Sequence, residues 1–235
     1  AEHLARFVGD PVAVVIAESR AVAEDAAELV DVDYEPLDAV ADYRMAGESP
    51  HLVHEAYEGN VAGTLHGRGR TAVLEAFEAA AHTVTATISQ EANAAVPIET
   101  RGMVVEWSGE ELSIWAATQS PHELRGFCSR LLGLPDDRIR VIMRDTGGGF
   151  GQKTVPMRED MCMMLLARKV SAPVKWIEDR RENLMSAGQA RREHGEASLS
   201  FDGEGRITAA RIDPVQDVGA YPTPWPVGTA AAVGM

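Results

Sequence analysis

Apolar residues recur along this chain with two periods, and the places where the period changes mark out its elements. Val30, Val32 and Tyr34 alternate with Asp31 and Asp33 until Pro36, the pattern of a half-buried strand, and the apolar run from Pro11 to Ala17 predicts a strand before it. Between them Ser19 suits the N-cap of an alanine- and glutamate-rich helix over Arg20 to Leu29, so the opening reads as a small β-α-β unit. From about Asp38 to Arg70 the periodicity fades and Gly, His, Pro and Glu dominate, which predicts a connector between two domains. The helical period returns in Thr71 to His82, with Val73, Leu74, Phe77 and Ala81 on one face, and gives way to a strand over Thr83 to Ile88.

Two hairpins and two strand-to-helix corners follow. Met103 to Trp107 and Leu112 to Ala117 flank Ser108-Gly109-Glu110-Glu111, a hairpin that delivers Thr118-Gln119 to a strand end. Ser120-Pro121-His122-Glu123 then reads as a capping box with proline at the first helical position, and Gly133 closes the helix. A strand over Arg138 to Met143 leads to the second corner, Gly147-Gly148-Gly149-Phe150-Gly151-Gln152-Lys153, before an apolar run from about Met161. His194 to Phe201 and Arg206 to Val218 form the second hairpin around Asp202-Gly203-Glu204-Gly205.

The glycine loop is the candidate for chemistry. Without Cβ atoms, successive N–H groups can turn toward one anionic ligand, and a following helix would add its N-terminal dipole. A tight turn that only reverses the chain remains the alternative. Two phosphate fingerprints fail on spacing, because Gln152 separates Gly151 from Lys153 and no third glycine completes G-x-G-x-x-G. The bulky Phe150 at the centre points to a planar or apolar group beside the backbone donors. Gln119, at the preceding corner, faces a common ligand if the two corners adjoin. Alone it is the solvated or cap-bonding side chain usual after a strand.

Charge and composition narrow the partners. With 22 Lys and Arg against 36 Asp and Glu, the net charge of −14 and the lack of a basic cluster argue against nucleic acid and anionic membranes. No apolar run reaches the roughly 18 residues of a membrane span, and no basic-then-apolar signal region opens the chain, so a cytoplasmic location is expected. Cys128 and Cys162 are far apart, and the seven histidines show no ligand spacing, so no protein-ligated metal is expected and both cysteines read as buried small hydrophobes. Met157, Met161, Met163 and Met164 read as core filler, Asp136-Asp137 as turn residues, and Glu178 to Glu182 as a solvated charge run. Ala1 is not an initiator methionine, and the chain stops on the apolar Ala230 to Met235, so a fragment of a longer protein is expected.

Taken in order, Val32-Asp33-Tyr34-Glu35-Pro36-Leu37, Glu99-Thr100-Arg101-Gly102, Thr118-Gln119-Ser120-Pro121, the glycine loop and Asp179-Arg180-Arg181-Glu182-Asn183-Leu184 resemble the molybdenum hydroxylases. These are the large subunits of the xanthine dehydrogenase, aldehyde oxidase and aerobic carbon monoxide dehydrogenase family. The resemblance implies an α+β architecture: residues 1–45 as the end of a mixed α/β hammerhead domain, 46–70 as a connector, and 71–235 as the first molybdopterin-binding domain, incomplete at its C-terminus. It implies a molybdopterin-type molybdenum cofactor, for which the cytosine dinucleotide is one form, with Gln119 hydrogen-bonding an oxo ligand of the metal and Gly149, Phe150 and Gly151 lining cofactor and substrate. It also implies an oxidoreductase that hydroxylates a carbon centre of a small molecule (an aldehyde, an N-heterocycle or CO) with water-derived oxygen, passing electrons to iron–sulfur and FAD subunits in a dimer of heterotrimers. The family's base glutamate lies beyond Met235, so no catalytic residue is assigned. Thr154 stands where purine-oxidising relatives carry glutamate, which counts against xanthine. A non-catalytic binding or assembly domain that keeps the loop as a structural turn is the alternative.

Overall fold

The computed structural model describes residues 3–67 and 69–222. In chain order its elements are α1 (Arg20–Ala27), α2 (Arg70–Glu78), β1 (His82–Ala94), β2 (Gly102–Ser108), β3 (Glu111–Ala116), α3 (Pro121–Leu132), β4 (Ile139–Ile142), α4 (Arg158–Val170), β5 (Val174–Ile177), α5 (Arg180–Ser186), β6 (Gln189–Phe201) and β7 (Ile207–Gln216). They divide into two compact units, Ala1–Tyr34 with Ala94–Gln189, and Glu35–Asn93 with Ala190–Met235.

The first unit is built on a four-stranded sheet of order β4-β3-β2-β5. The predicted hairpin forms β2 and β3, with Val105 opposite Ile114 and Gly109 at φ +60° in the turn. Helices α3 and α4 cover one face, where Met103, Val105, Leu112, Ile114, Leu124, Cys128, Ile139, Met163 and Met164 close a continuous core. Of the four methionines expected as core filler, Met163 and Met164 join the core while Met157 and Met161 are only half-buried, and Cys162 is exposed where burial was expected. Gly133 takes the left-handed conformation at φ +66° and ends α3, and Pro121 opens it. The Ser120 side chain does not cap α3. The Thr118 hydroxyl, two residues earlier, accepts from the Ser120 N–H at 3.1 Å and so fixes the corner ahead of the helix.

Near the N-terminus the structure departs from expectation. Helix α1 forms with Ser19 Oγ accepting from the Val22 N–H, but neither Pro11–Ala17 nor Val30–Tyr34 is a strand. A strand needs a neighbour for its N–H and C=O groups, and no described residue pairs with either segment as a ladder. Their alternation survives as surface: Val14 is 57% exposed and Tyr34 59%.

The second unit holds a three-stranded sheet of order β1-β6-β7, with α2 packed on β7. β6 and β7 pair antiparallel around the predicted turn, and Gly205 adopts φ +81° there. Hydroxyl pairs fasten the strands: Thr85 to Ser198 at 2.9 Å and Ser200 to Thr208 at 2.8 Å. The described residues of 38–70 include one short 3-10 turn, Ala46–Glu48, and Asn60 ties several of their backbone groups together. Asn60 accepts from the Val53 N–H and donates to the Ala46 and His51 carbonyls. Ala230 to Met235 lie outside the described residues.

Candidate functional site

Two side chains from outside the glycine loop set its shape. Glu99, just before β2, and Gly147 are joined twice: the Glu99 N–H donates to the Gly147 carbonyl at 3.3 Å, and Glu99 Oε2 accepts from the Gly147 N–H at 2.7 Å. The same oxygen accepts from Lys153 Nζ at 2.7 Å, so one carboxylate spans both ends of the loop. Burial would raise the Glu99 pKa, but the Lys153 ammonium and the Gly147 N–H outweigh it and hold the carboxyl below its ordinary range. Gln119, just after β3, grips the middle: its Oε1 accepts from Gly151 N at 3.1 Å and Lys153 N at 3.2 Å. Because both neighbours are donors, the carboxamide oxygen must face the loop, which turns Nε2 away from it. The two corners that the sequence placed one strand apart are therefore in direct contact.

The loop's glycines answer two different demands, close approach and backbone conformation. A Cβ on Gly149 would stand 2.3 Å from Gln119 Oε1, and one on Gly147 would stand 2.6 Å from the Glu99 Cβ. At Gly151 nothing lies within 4 Å, and the requirement is its φ of +92°. Phe150 itself sits at φ +53° with its residue surface 75% exposed, while Gln152 and Lys153 beside it are buried. A bulky residue held in the left-handed region is strained, and such strain clusters at functional sites.

Counting donors shows what the loop leaves free. Beyond those taken by Glu99 and Gln119, the N–H groups of Gln152 and Thr154 close turns onto the Gly149 and Gly151 carbonyls. The N–H groups of Gly148, Gly149 and Phe150 make no hydrogen bond to any described residue, and the buried Thr146 hydroxyl at the loop's start is likewise unpartnered. Three successive unpartnered backbone donors and an exposed aromatic ring on one loop suit an anionic, partly planar group. The helix dipole expected behind the loop is displaced: α4 begins only at Arg158, after Thr154, Val155, Pro156 and Met157, because Pro156 keeps Val155 out of the helical region. A cleft of about 420 Å³ opens beside Glu99, lined by Ile98, Val104, Trp115, Ile142, Arg144 and Ile177, and the glycine loop does not line it.

Behind the loop lies a buried polar network that the sequence reading missed. Gln152 donates through Nε2 to the Ala95 carbonyl at 3.1 Å and accepts at Oε1 from Asn183 Nδ2 at 2.8 Å. Asn183 Nδ2 also donates to Glu178 Oε2 at 2.8 Å, and Glu178 Oε1 accepts from Arg101 Nε at 2.9 Å. Arg180 joins α5 to the chain before β2 by donating to Asn183 Oδ1 and to the Pro97 carbonyl. Glu178 is therefore 1% exposed, not part of a solvated run, and Asp179 with Glu182 forms a capping box on α5. Burial opposes the Arg101 charge, yet the Glu178 and Glu159 carboxylates more than offset it and raise its pKa. Only the ordered motifs around Arg101 and Asn183 signalled these residues, and they carried no role until Glu178 met Arg101 in space.

Among the described residues no group of three or more His, Cys, Asp and Glu side chains could hold a metal ion. None of their helices is long and apolar enough to cross a membrane.

Comparison with known proteins agrees with this geometry. Residues 53–235 match the molybdopterin cofactor-binding domain, and residues 1–38 match the a/b hammerhead domain of aldehyde oxidase and xanthine dehydrogenase. The nicotine 6-hydroxylase large subunit of Paenarthrobacter nicotinovorans is 40% identical over 95% of this chain and 28% of its own length. The carbon monoxide dehydrogenase large chain of Afipia carboxidovorans is 33% identical over 97% of this chain and 31% of its own. The crystal structure of quinoline 2-oxidoreductase from Pseudomonas putida 86 superposes with a TM-score of 0.84 at 39% identity, over 94% of this chain and 28% of that one. The chain thus spans less than a third of the length of these relatives.

Proposed function

This chain belongs to the molybdopterin-binding large-subunit family of xanthine dehydrogenase, aldehyde oxidase and carbon monoxide dehydrogenase, and from that premise we propose that it forms part of a molybdenum hydroxylase acting on a ring carbon of an N-heteroaromatic compound. The observation that carries the reading is the row of unspent N–H groups at Gly148, Gly149 and Phe150 on a loop whose shape Gln119 Oε1 fixes. When bound, the molybdenum cofactor supplies two-electron oxidation of carbon with oxygen drawn from water. The chain's own residues would hold it: the three backbone donors would bind its anionic oxygens, Gln119 Nε2 would offer it a further donor, and Gly149 and Gly151 let the backbone take this shape. The exposed Phe150 ring offers a flat apolar wall to an aromatic substrate. Relatives at 39% and 40% identity are named for quinoline and nicotine, and those at 31% to 33% for carbon monoxide, 6-hydroxypseudooxynicotine and xanthine, so the higher identities lie with N-heteroaromatic names and favour that class over carbon monoxide. Electrons would leave through iron–sulfur and FAD subunits, in keeping with the large-subunit relatives.

The test is metal and pterin analysis of the full-length protein purified with its partner subunits, followed by a dye-linked assay with nicotine and quinoline. Molybdenum with a pterin and turnover of either ring is the expected result. A folded, complete protein without molybdenum would refute the reading in favour of a binding or assembly domain.

A further inference from the structure

Resting on that reading, we propose that Glu99 is a positioning residue, a latch whose single carboxylate oxygen fixes both ends of the glycine loop and so sets where the three free N–H groups point. Three observations support it. Glu99 Oε2 accepts from Gly147 N and from Lys153 Nζ, each at 2.7 Å, and these are the first and last residues of the loop. Lys153 is fixed at every polar atom: its N–H donates to Gln119 Oε1, its carbonyl accepts from the Gln119 N–H at 3.0 Å and the Thr118 hydroxyl at 3.2 Å, and its side chain is fully buried. The ammonium is fully buried while the Glu99 side chain is 40% exposed, so loss of Glu99 leaves an unpaired buried charge whose relief requires water to enter beside the loop or the loop to rearrange. Gly147 has no room for anything but this contact, since a Cβ there would stand 2.6 Å from that of Glu99.

A structural tie and a positioning latch differ in what they change. Loss of a mere tie lowers stability throughout the unit, whereas loss of the latch moves the loop's apex and with it the group the apex holds. Glu99 touches neither Gly148, Gly149 nor Phe150 by hydrogen bond, so any effect on a bound group passes through the loop.

The experiment uses the full-length protein with its subunits, comparing wild type, Glu99→Ala and Glu99→Gln. Amide hydrogen exchange is followed across residues 147–153 and across the β2–β3 core. The Mo(V) paramagnetic resonance signal is recorded after partial reduction with dithionite. Exchange in the loop should rise at least fivefold in E99A and by a smaller factor in E99Q, whose carbonyl still accepts from both donors but leaves the Lys153 ammonium without a counter-charge, with the core unchanged. The Mo(V) signal should change shape in E99A and move back toward that of the wild type in E99Q. Wild-type exchange across the loop in E99A would overturn the proposal. Raised exchange with an unaltered Mo(V) signal would reduce Glu99 to a tie and overturn it as well. If E99A does not fold, Lys153→Met takes its place, with the same loosening expected over residues 151–153 and unchanged exchange there overturning the latch. Absence of molybdenum from the wild type would refute the hydroxylase reading, while loop exchange in the variants would still judge whether Glu99 holds the loop.

Discussion

Replacing Glu178 by glutamine should destabilise the sheet unit far beyond the change of one atom. The carboxylate accepts four hydrogen bonds: Oε1 from Arg101 Nε at 2.9 Å and Nη2 at 2.5 Å, and Oε2 from the Arg101 N–H at 3.1 Å and Asn183 Nδ2 at 2.8 Å. That matches the acceptor capacity of a carboxylate. A glutamine fits the space, but its NH2 must face either the guanidinium or the Arg101 N–H and Asn183. In both orientations a buried donor meets two donors. Removing one partner of a buried, hydrogen-bonded pair costs about 3–5 kcal/mol. Glu159 stays 3.3 Å from Arg101 Nη1 and retains part of the charge balance, so the lower end applies, about 3 kcal/mol or roughly a hundredfold in an opening equilibrium. Native-state amide exchange of the full-length protein reads this directly, with β2, β3 and α4 reporting on the unit and the β6–β7 hairpin as internal reference. Exchange in β2 and β3 should rise about a hundredfold while the reference stays constant, and residues 147–153 should loosen with them, because Asn183 also holds Gln152. A rise of less than about fivefold would mean that the Arg101–Glu178 pair does not hold the unit together.

Three further outcomes separate the roles within the loop. Gly149→Ala should release both N–H groups held by Gln119 and abolish molybdenum retention, because its Cβ would stand 2.3 Å from Oε1. Gly151→Ala meets open space and should cost only the left-handed backbone, about 1–2 kcal/mol, with Gly151→Asn milder; equal retention in the Gly149 and Gly151 alanine variants would contradict the steric account. Gln119→Glu keeps the acceptor for Gly151 and Lys153 but loses the outward Nε2 donor, so loop exchange should stay as in wild type while turnover falls; Gln119→Ala should loosen the loop as well, and a rigid loop in that variant would remove Gln119 as its anchor. Burial pushes the Asp160 carboxyl up from 3.8 to about 6, so the folded state binds more protons than the unfolded one between about pH 4 and 6. Its contribution to stability is therefore present at low pH and lost as pH rises through that window, and Asp160→Asn should remove about 2–3 kcal/mol of difference between pH 4 and pH 8; denaturant midpoints with an unchanged pH slope would exclude Asp160 as the source.

Both hairpins were legible in the sequence because each is a local signal: Gly109 and Gly205 take positive φ between strands of correct alternation. The opening β-α-β unit was not realised, because alternation reports which face a segment would bury but not whether another strand lies beside it. Val12, Val14 and Ile16 read the same with or without a partner edge. At the site, Gln119 and Gly149 to Gly151 were identifiable as strand-end residues and loop, and Glu99 and Lys153 as members of motifs, but the pairing of Glu99 with Lys153 and the burial of Glu178 were not. A charged side chain looks solvated in sequence, and its burial follows only when a partner far along the chain arrives: 54 residues separate Lys153 from Glu99, and 77 separate Glu178 from Arg101.

That separation also explains why no phosphate fingerprint fits the loop. In a local fingerprint the spacing of glycines and the terminal lysine is fixed by a ligand that all of them face. Here the lysine faces Glu99, and two glycines face protein side chains: Gly147 the Glu99 stem and Gly149 the Gln119 carboxamide. Only Gly148, Gly149 and Phe150 keep their N–H groups for a ligand. The loop's shape is thus encoded before β2, after β3 and in α5 as much as in its own seven residues. A substitution at Glu99, Gln119 or Asn183 should then alter ligand retention without touching the ligand, and the same glycine loop grafted into a protein lacking those three residues should retain none.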